Sequence, residues 1–175
     1  DTQFLTNTVS TDEGCGGGLY NDSGSPTIEG NTFQGNSANG YFNSPTDWAY
    51  GRGGGIFNKS GNPIIHNNLL RGNSATGYHA NPEPHVASGG VGGGIYNESG
   101  SPSVEGNAFL NNTTYGILRY DNQGNPTYIS VAKGGGLCNL SGSFQVRENS
   151  FIDNRAVAPY GTFSSGGGIE NISGN

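Results

Sequence analysis

The sequence contains no methionine, only two cysteines and few charged residues, which make up 11% of its 175 positions. No apolar run approaches the roughly 18 residues that a membrane-spanning helix needs. Two cysteines are too few for a disulfide-linked scaffold. Seven basic residues against thirteen acidic ones give a net charge of −6, which argues against a nucleic-acid partner. Segments rich in Ala, Leu, Glu and Lys are also scarce, so a helical core is not expected.

Glycine and asparagine are abundant instead, with 33 and 23 residues. No Gly-X-Y period is present, which excludes collagen. Three glycines followed by Ile or Leu recur five times, and the first four occurrences open a constant pattern of 21 residues, such as GGGIYNESGSPSVEGNAFLNN. Internal repeats of this length indicate a solenoid. The repeat units start near Gly16, Gly53, Gly92, Gly134 and Gly166.

The constant pattern suits one coil of a parallel β-solenoid, with three short strands joined by tight turns. Apolar residues recur at the inward position of each strand, and each such column is expected to stack from coil to coil. The inward columns are Leu19, Ile56, Ile95, Leu137 and Ile169; Ile28, Ile65, Val104 and Val146; and Phe33, Leu70, Phe109 and Phe151. By strand alternation, the residues that follow the first column point outward, namely Tyr20, Phe57, Tyr96, Cys138 and Glu170. We therefore predict an all-β fold, a single-domain parallel β-helix of about five coils over residues 1–175, with half-coils at both ends.

Asparagines form columns of their own, where stacked amides would bond to one another and satisfy the polar groups of the turns. The columns are Asn21, Asn58, Asn97, Asn139 and Asn171; Asn31, Asn68, Asn107 and Asn149; and Asn36, Asn73, Asn112 and Asn154. Every residue of the first column also lies in an Asn-x-Ser glycosylation sequon. Alternation points this column inward, where a glycan has no room, so an asparagine ladder is the favoured interpretation. Asn111 and Asn112, at the start of a variable segment, are less constrained glycosylation candidates.

Two alternating motifs carry a family resemblance. The GGG-(Ile/Leu) motif alternates with Phe-x-x-Asn, as in Phe33–Asn36, Phe109–Asn112 and Phe151–Asn154. This alternation resembles the GGxI and FxxN repeats of polymorphic outer membrane proteins, which are right-handed parallel β-helix repeat proteins. The resemblance implies surface display and adhesion, and it implies no catalytic residues. The general crossover preference also favours a right-handed solenoid.

The sequence begins and ends within a repeat unit, so we expect uncapped ends with open strand edges, which template pairing. Head-to-tail assembly into an extracellular or cell-surface filament, with the protein itself as partner, is the resulting hypothesis. The predicted assembly edges are Phe4 and Asn7 on one side, and Ile169, Asn171 and Ile172 on the other. The alternative is an excerpt of a longer β-helix adhesin. The absence of a signal peptide and of an initiator methionine fits a processed exported protein as well as an excerpt.

The segments between the constant patterns are expected to form long loops on one side of the solenoid. They span residues 37–52, 74–91, 113–133 and 155–165, and they are rich in aromatic residues. Loops on a rigid scaffold often carry function, so these rings are a candidate contact face for polysaccharide or another partner. The alternative is that the rings pack on one another or on the solenoid. The candidate face comprises Tyr41, Trp48, Tyr50, Tyr78, Tyr115, Tyr120, Tyr128 and Tyr160.

An enzyme would have to use the same segments. Asp47, Glu83 and Asp121 lie in successive segments, with His79, His85 and Arg119 nearby in sequence. A polysaccharide lyase or glycoside hydrolase is therefore an alternative function, and Ca²⁺ is an alternative cofactor. A glycosidase needs two carboxyl groups about 5–9.5 Å apart, and no compact acidic cluster is present. We expect a non-enzymatic protein without a cofactor.

Two further patterns have structural interpretations. Acidic and basic residues alternate in one outward column, which reads Glu29, His66, Glu105 and Arg147. A charge ladder that fixes the coil register is favoured there over a catalytic role. The two cysteines, Cys15 and Cys138, are three coils apart, about 14 Å at strand spacing. That distance is too long for a disulfide.

Overall fold

The computed structural model describes residues 1–42, 49–79, 87–117, 123, 129–159 and 163–174. Within these ranges the chain forms short β-strands in five successive sets and no helix. The first set is β1 (Gln3–Leu5), β2 (Thr8–Thr11), β3 (Gly14–Cys15) and β4 (Leu19–Asn21). The second set is β5 (Thr27–Glu29), β6 (Thr32–Gln34), β7 (Ser37–Phe42), β8 (Ala49–Arg52) and β9 (Ile56–Asn58). The third set is β10 (Ile64–His66), β11 (Leu69–Arg71), β12 (Ser74–His79), β13 (Ala87–Val91) and β14 (Ile95–Asn97).

The last two sets repeat the same order. The fourth set is β15 (Ser103–Glu105), β16 (Ala108–Leu110), β17 (Thr113–Gly116), β18 (Ile129–Lys133) and β19 (Leu137–Asn139). The fifth set is β20 (Gln145–Arg147), β21 (Ser150–Ile152), β22 (Arg155–Val157), β23 (Phe163–Ser165) and β24 (Ile169–Asn171). No helix in the described ranges is long and apolar enough to cross a membrane.

Every strand pairs in parallel with its counterpart one coil away, which makes five sheets. Sheet 1 contains β5, β10, β15 and β20; sheet 2 contains β1, β6, β11, β16 and β21; sheet 3 contains β2, β7, β12, β17 and β22; sheet 4 contains β3, β8, β13, β18 and β23; and sheet 5 contains β4, β9, β14, β19 and β24. The predicted parallel β-solenoid is confirmed, as four sets of five strands and one set of four in the described residues. Its right-handedness stays a prediction.

The predicted register is confirmed by the strand pairing. Leu70 in β11 lies opposite Phe33 in one coil and Phe109 in the next. The ring of Phe109 stacks on that of Phe151, with centroids 4.5 Å apart. The core formed by sheets 1, 2 and 5 contains the predicted inward columns, since Ile56, Ile65, Leu70, Ile95, Val104, Phe109 and Leu137 are all fully buried. Stacked columns of apolar residues thus build the narrow core.

The asparagine ladders are also confirmed. Asn97 donates from its side-chain amide to Asn139 Oδ1 at 2.7 Å and receives a hydrogen bond from Asn58 at 2.6 Å. In the third ladder, Asn73 donates to Asn112 Oδ1 at 2.9 Å and to the Phe33 carbonyl at 2.9 Å. Each of these buried asparagines therefore bonds both a neighbouring asparagine side chain and a backbone carbonyl of an adjacent coil.

The variable segments differ from the prediction, because they are not simply loops. Each contributes two strands, which form sheets 3 and 4, and these sheets pack face to face as a thin layer that we call the wing. A side chain at Gly77 would collide with the Ala49 carbonyl and the Gly89 backbone, and one at Gly51 would collide with the Ala38 carbonyl. The wing interior is therefore made of glycines and small residues, including Ala38, Ala49, Ala75, Ser88, Thr114, Ser130 and Ala132.

The predicted outward column of sheet 5 is wrong in one respect. Phe57, Tyr96 and Cys138 do alternate with the core residues, but they are only 2%, 5% and 0% exposed. They form a second apolar cluster with Val91 of sheet 4 and with Leu140. The outer face of sheet 5 is buried because the outer face of sheet 4 turns toward it, which strand alternation alone does not reveal.

Candidate binding groove

A groove of about 570 Å³ runs along the solenoid where sheets 4 and 5 meet. Two outward columns of sheet 4 form one wall. One column contains Tyr50, Gly89, Val131 and Phe163, and the other contains Cys15, Arg52, Val91, Lys133 and Ser165. The outer column of sheet 5 faces these two columns across the groove. The described residues that line the groove are Tyr50, Arg52, Val91, Tyr96, Val131, Lys133, Leu140, Phe163, Ser164, Ser165 and Ile172.

The triple glycine between sheets 4 and 5 creates this concave corner. Its first glycine has a positive φ in every coil, for example 63° at Gly53. A side chain there would also collide with the Ile56 carbonyl, so the tight reversal requires glycine. Because the motif recurs in each coil, the corner repeats and the groove extends parallel to the solenoid axis.

Aromatic rings line the groove, and one of them, Tyr96, belongs to a stack on the outer face of sheet 5. The Phe57 ring stacks on Tyr20 at 5.1 Å and on Tyr96 at 5.5 Å between centroids. Phe163 at the far end is 67% exposed, and Ile172 beside it is 39% exposed. The groove thus presents apolar and aromatic surface in four successive coils.

Arg52 is already neutralised at one end of the groove. Its guanidinium lies 2.9 Å from Glu13 Oε2 and 5.5 Å from the centre of the Tyr50 ring. Burial opposes the charge on Arg52, but the hydrogen bond and charge of Glu13 outweigh burial and raise the pKa of the guanidinium. Arg52 therefore stays charged, with a carboxylate as its partner.

Lys133 has no comparable partner in the part of the chain that the structure describes. No carboxylate lies within salt-bridge distance of its ammonium there. Its register neighbours in the column are Val91 and Ser165. The half-buried Lys133 side chain thus brings into this wall a positive charge that no described carboxylate pairs with.

The buried thiols and phenols of this region stay neutral at physiological pH. Burial raises the pKa of the Cys138 thiol to about 12. Burial also raises the pKa of Tyr96, of Tyr50 and of Cys15. The charges of the lining are therefore those of Arg52 and Lys133.

A second, polar pocket of about 350 Å³ lies at the outer corner between sheets 2 and 3. It is lined by Asn111, Thr113, Tyr115, Asp153 and Arg155. Asn111 and Asp153 have positive φ angles of 54° and 53° at the turn between the two sheets. The turn is therefore built by non-glycine residues in the left-handed conformation, which Asn and Asp tolerate.

The predicted aromatic face is divided among three places. Tyr41 and Tyr78 stack on the outside of the wing, with ring centroids 5.1 Å apart. Tyr115 lies in the polar pocket and Tyr50 in the groove. Four other members lie outside the described residues, as do most of the residues considered for catalysis: Trp48, Tyr120, Tyr128, Tyr160, Asp47, Glu83, His85, Arg119 and Asp121.

The predicted assembly edges lie at opposite ends of the solenoid. Phe4 stacks on Phe33 at 4.5 Å, and Asn7 donates to Asn36 Oδ1 at 2.9 Å. At the other end Asn171 accepts from Asn139 at 2.8 Å, while Ile169 is 42% exposed. The remaining predicted edge residue contributes instead to the groove lining, namely Ile172.

The charged column of sheet 1 and the two cysteines are both within the described residues. His66 pairs in register with Glu29 and Glu105, and its Nε2 lies 3.3 Å from Glu29 Oε2. The charge ladder along the whole column stays a prediction. Cys15 and Cys138 are both free, which confirms the prediction of no disulfide between them.

The two glycosylation candidates have different environments. The amide of Asn112 is buried in the third ladder, where it donates to Asn154 Oδ1 at 2.9 Å and to the Leu70 carbonyl at 2.8 Å. That amide is not available for attachment of a glycan. The predicted glycosylation site is therefore the exposed Asn111 alone.

The groove itself was not predicted from the sequence. One feature of the sequence could have indicated it. The column predicted to point outward from the solenoid contains the large aromatic residues Tyr20, Phe57 and Tyr96. An outward column of large apolar residues indicates a surface that another part of the chain covers.

The described residues contain no group of three or more His, Cys, Asp or Glu side chains placed to hold a metal ion.

No protein-family model, curated protein or solved structure matches the chain.

Proposed function

We propose that this chain is a structural β-solenoid of adhesin type, located outside the cell or on its surface, that binds an extended polysaccharide. The observation that carries the proposal is the groove between sheets 4 and 5. Its lining comes from four successive coils, from Tyr50 to Phe163, and therefore extends over about 14 Å at strand spacing. Such a length accommodates several units of a linear polymer.

The chemistry of the groove favours a sugar chain over a peptide. The strands of sheets 4 and 5 already pair with their neighbours in adjacent coils, so a peptide in the groove would find no strand edge to extend. Its amide and carbonyl groups would be desolvated against Val91, Val131 and Leu140, which is costly. A sugar ring offers an apolar C–H face to those side chains, while its hydroxyl groups remain at the open side.

Binding is tested by affinity electrophoresis and calorimetry with a panel of linear polysaccharides. The double variant Phe163→Ser and Ile172→Ser removes exposed apolar surface from the groove, and we expect binding to fall at least tenfold. The matched control is Ile64→Ser and Ile152→Ser, which removes similarly exposed residues from sheets 1 and 2. Equal binding by both variants, or no binding by the unchanged protein, would contradict the proposal.

Self-assembly is a second candidate, supported by the equivalence of the coils. The core columns place apolar residues in the same register in successive coils, as Phe4, Phe33 and Leu70 show, so one coil face can stack on another. We expect sedimentation velocity and electron microscopy to show unbranched filaments at high concentration. The variant Ile169→Lys should abolish them, and Ile64→Lys should not. A protein that stays monomeric at high concentration excludes assembly.

A further inference from the structure

We infer that the ligand of the groove is an anionic glycan, and that Lys133 is the residue that selects its acidic groups. This inference rests on the proposed polysaccharide binding. The polar groups of the lining are the hydroxyls of Tyr50, Tyr96, Ser164 and Ser165, one guanidinium and one ammonium. Among the described residues the lining contains no carboxylate, so its charge is complementary to a negatively charged ligand.

Arg52 and Lys133 occupy the same column but differ in availability. They are two coils apart, about 10 Å at strand spacing. Arg52 is held by Glu13 at 2.9 Å, whereas no described carboxylate reaches Lys133. A partly buried ammonium without a counter-ion is unfavourable, and a ligand carboxylate or sulfate would supply the missing partner.

Two further acidic residues, Glu98 and Glu170, lie near the groove. Glu98, which follows β14, acts electrostatically on Tyr96 and Cys15, and Glu170 in β24 acts on Cys138. Neither forms an ion pair with Lys133 in the described chain. The Lys133 ammonium acts on the same Cys138 thiol as Glu170, so the Glu170 carboxylate is in its surroundings but does not form an ion pair with it among the described residues.

The apolar neighbours of Lys133 define the rest of the ligand. Val131 and Leu140 line the groove beside it, and the exposed ring of Phe163 follows in the next coil. A pyranose that carries a carboxylate or a sulfate combines an apolar ring face with an acidic edge. It can lie on these side chains while its acidic group contacts the Lys133 ammonium.

The test compares linear oligosaccharides of equal length that are neutral, uronate-bearing or sulfated, with isothermal titration calorimetry as the readout. We expect the acidic series to bind more tightly than the neutral one. Lys133→Gln should weaken binding of the acidic series about tenfold and reduce its dependence on salt, with little effect on neutral chains. Lys133→Arg should restore binding. Arg71→Gln removes an exposed positive charge from sheet 2 and serves as the charge control.

The outcomes separate the inference from the function on which it rests. Preference for uronate or for sulfate identifies the acidic group, and either one supports the inference. Equal binding of neutral and acidic chains, with no effect of Lys133→Gln, overturns the inference and leaves polysaccharide binding intact. Tighter binding of an acidic amphipathic peptide overturns the assignment to a glycan. Failure to bind any glycan overturns the proposed function itself. Denaturation midpoints confirm that each variant is folded.

Discussion

The side-chain amide of Asn58 donates a hydrogen bond of 2.6 Å to Asn97 Oδ1, although 39 residues separate the two in sequence. Asn97 in turn donates to Asn139, so each buried asparagine is at once a donor and an acceptor. The partners belong to different coils. Loss of one member therefore leaves unsatisfied polar groups in the coils on both sides.

Replacement of Asn97 by Ala should destabilise the protein by about 2–3 kcal/mol, because a buried polar group without a partner carries that cost. The free energy of unfolding from urea titration is the measurement. Asn171→Ala removes the exposed end of the same ladder and should cost about 1 kcal/mol or less. Similar losses for both variants would show that the ladder is not the source of the stability.

The wing should tolerate no side chain at the glycine positions between its two sheets. Gly77→Ala places a methyl group against the Ala49 carbonyl and the Gly89 backbone, so we expect a loss of about 3 kcal/mol in the free energy of unfolding. Gly72→Ala is the matched control, since no atom lies within 4 Å of the added carbon and only its φ of 60° is unfavourable. That control should lose about 1 kcal/mol. A Gly77→Ala variant as stable as the control would contradict direct packing of the sheets.

Alkaline pH should destabilise the fold through Cys138. Burial raises the pKa of its thiol from the ordinary 9.0 to about 12, so above pH 9 the unfolded chain releases a proton that the folded chain retains. The free energy of unfolding should fall as pH rises from about 9 to about 12, by up to about 1.4 kcal/mol per pH unit for this group. Urea titrations at several pH values test the slope.

The variant Cys138→Ala should remove this contribution and flatten the decline, whatever its effect on absolute stability. The residual slope reflects other buried groups, including Tyr96, whose pKa is also raised by burial. Cys15→Ala, at a less buried thiol, should alter the slope less. An unchanged slope in Cys138→Ala would mean that this thiol is accessible to solvent in the folded protein.

Sequence reasoning succeeded where side-chain chemistry differs between the inside and the outside. Phe109 and Asn97 lie in columns whose residue types repeat in every coil, so their inward positions and register followed directly. The wing was missed because its interior residues, such as Ala75 and Gly77, have no apolar signal that separates a strand from a loop. The groove was missed for another reason: alternation gives the side of the sheet on which Tyr96 lies, but not what covers that side.

The net positive charge at the groove can be increased by removing the Glu13 carboxylate, which pairs with Arg52. Glu13→Gln abolishes the ion pair of 2.9 Å and leaves a second unpaired cation about 10 Å from Lys133. Because the Glu13 side chain is 57% exposed, stability should change by less than about 1 kcal/mol. Affinity for the acidic oligosaccharides should rise several-fold, with a steeper salt dependence, whereas neutral chains should bind as before. Asp22→Asn is the matched control, because it changes the net charge by the same amount but removes the acidic partner of the exposed Lys59. Comparison of the two variants separates the local effect from the effect of net charge. If both variants raise affinity equally, the ligand responds to overall charge; if neither does, it does not reach Arg52.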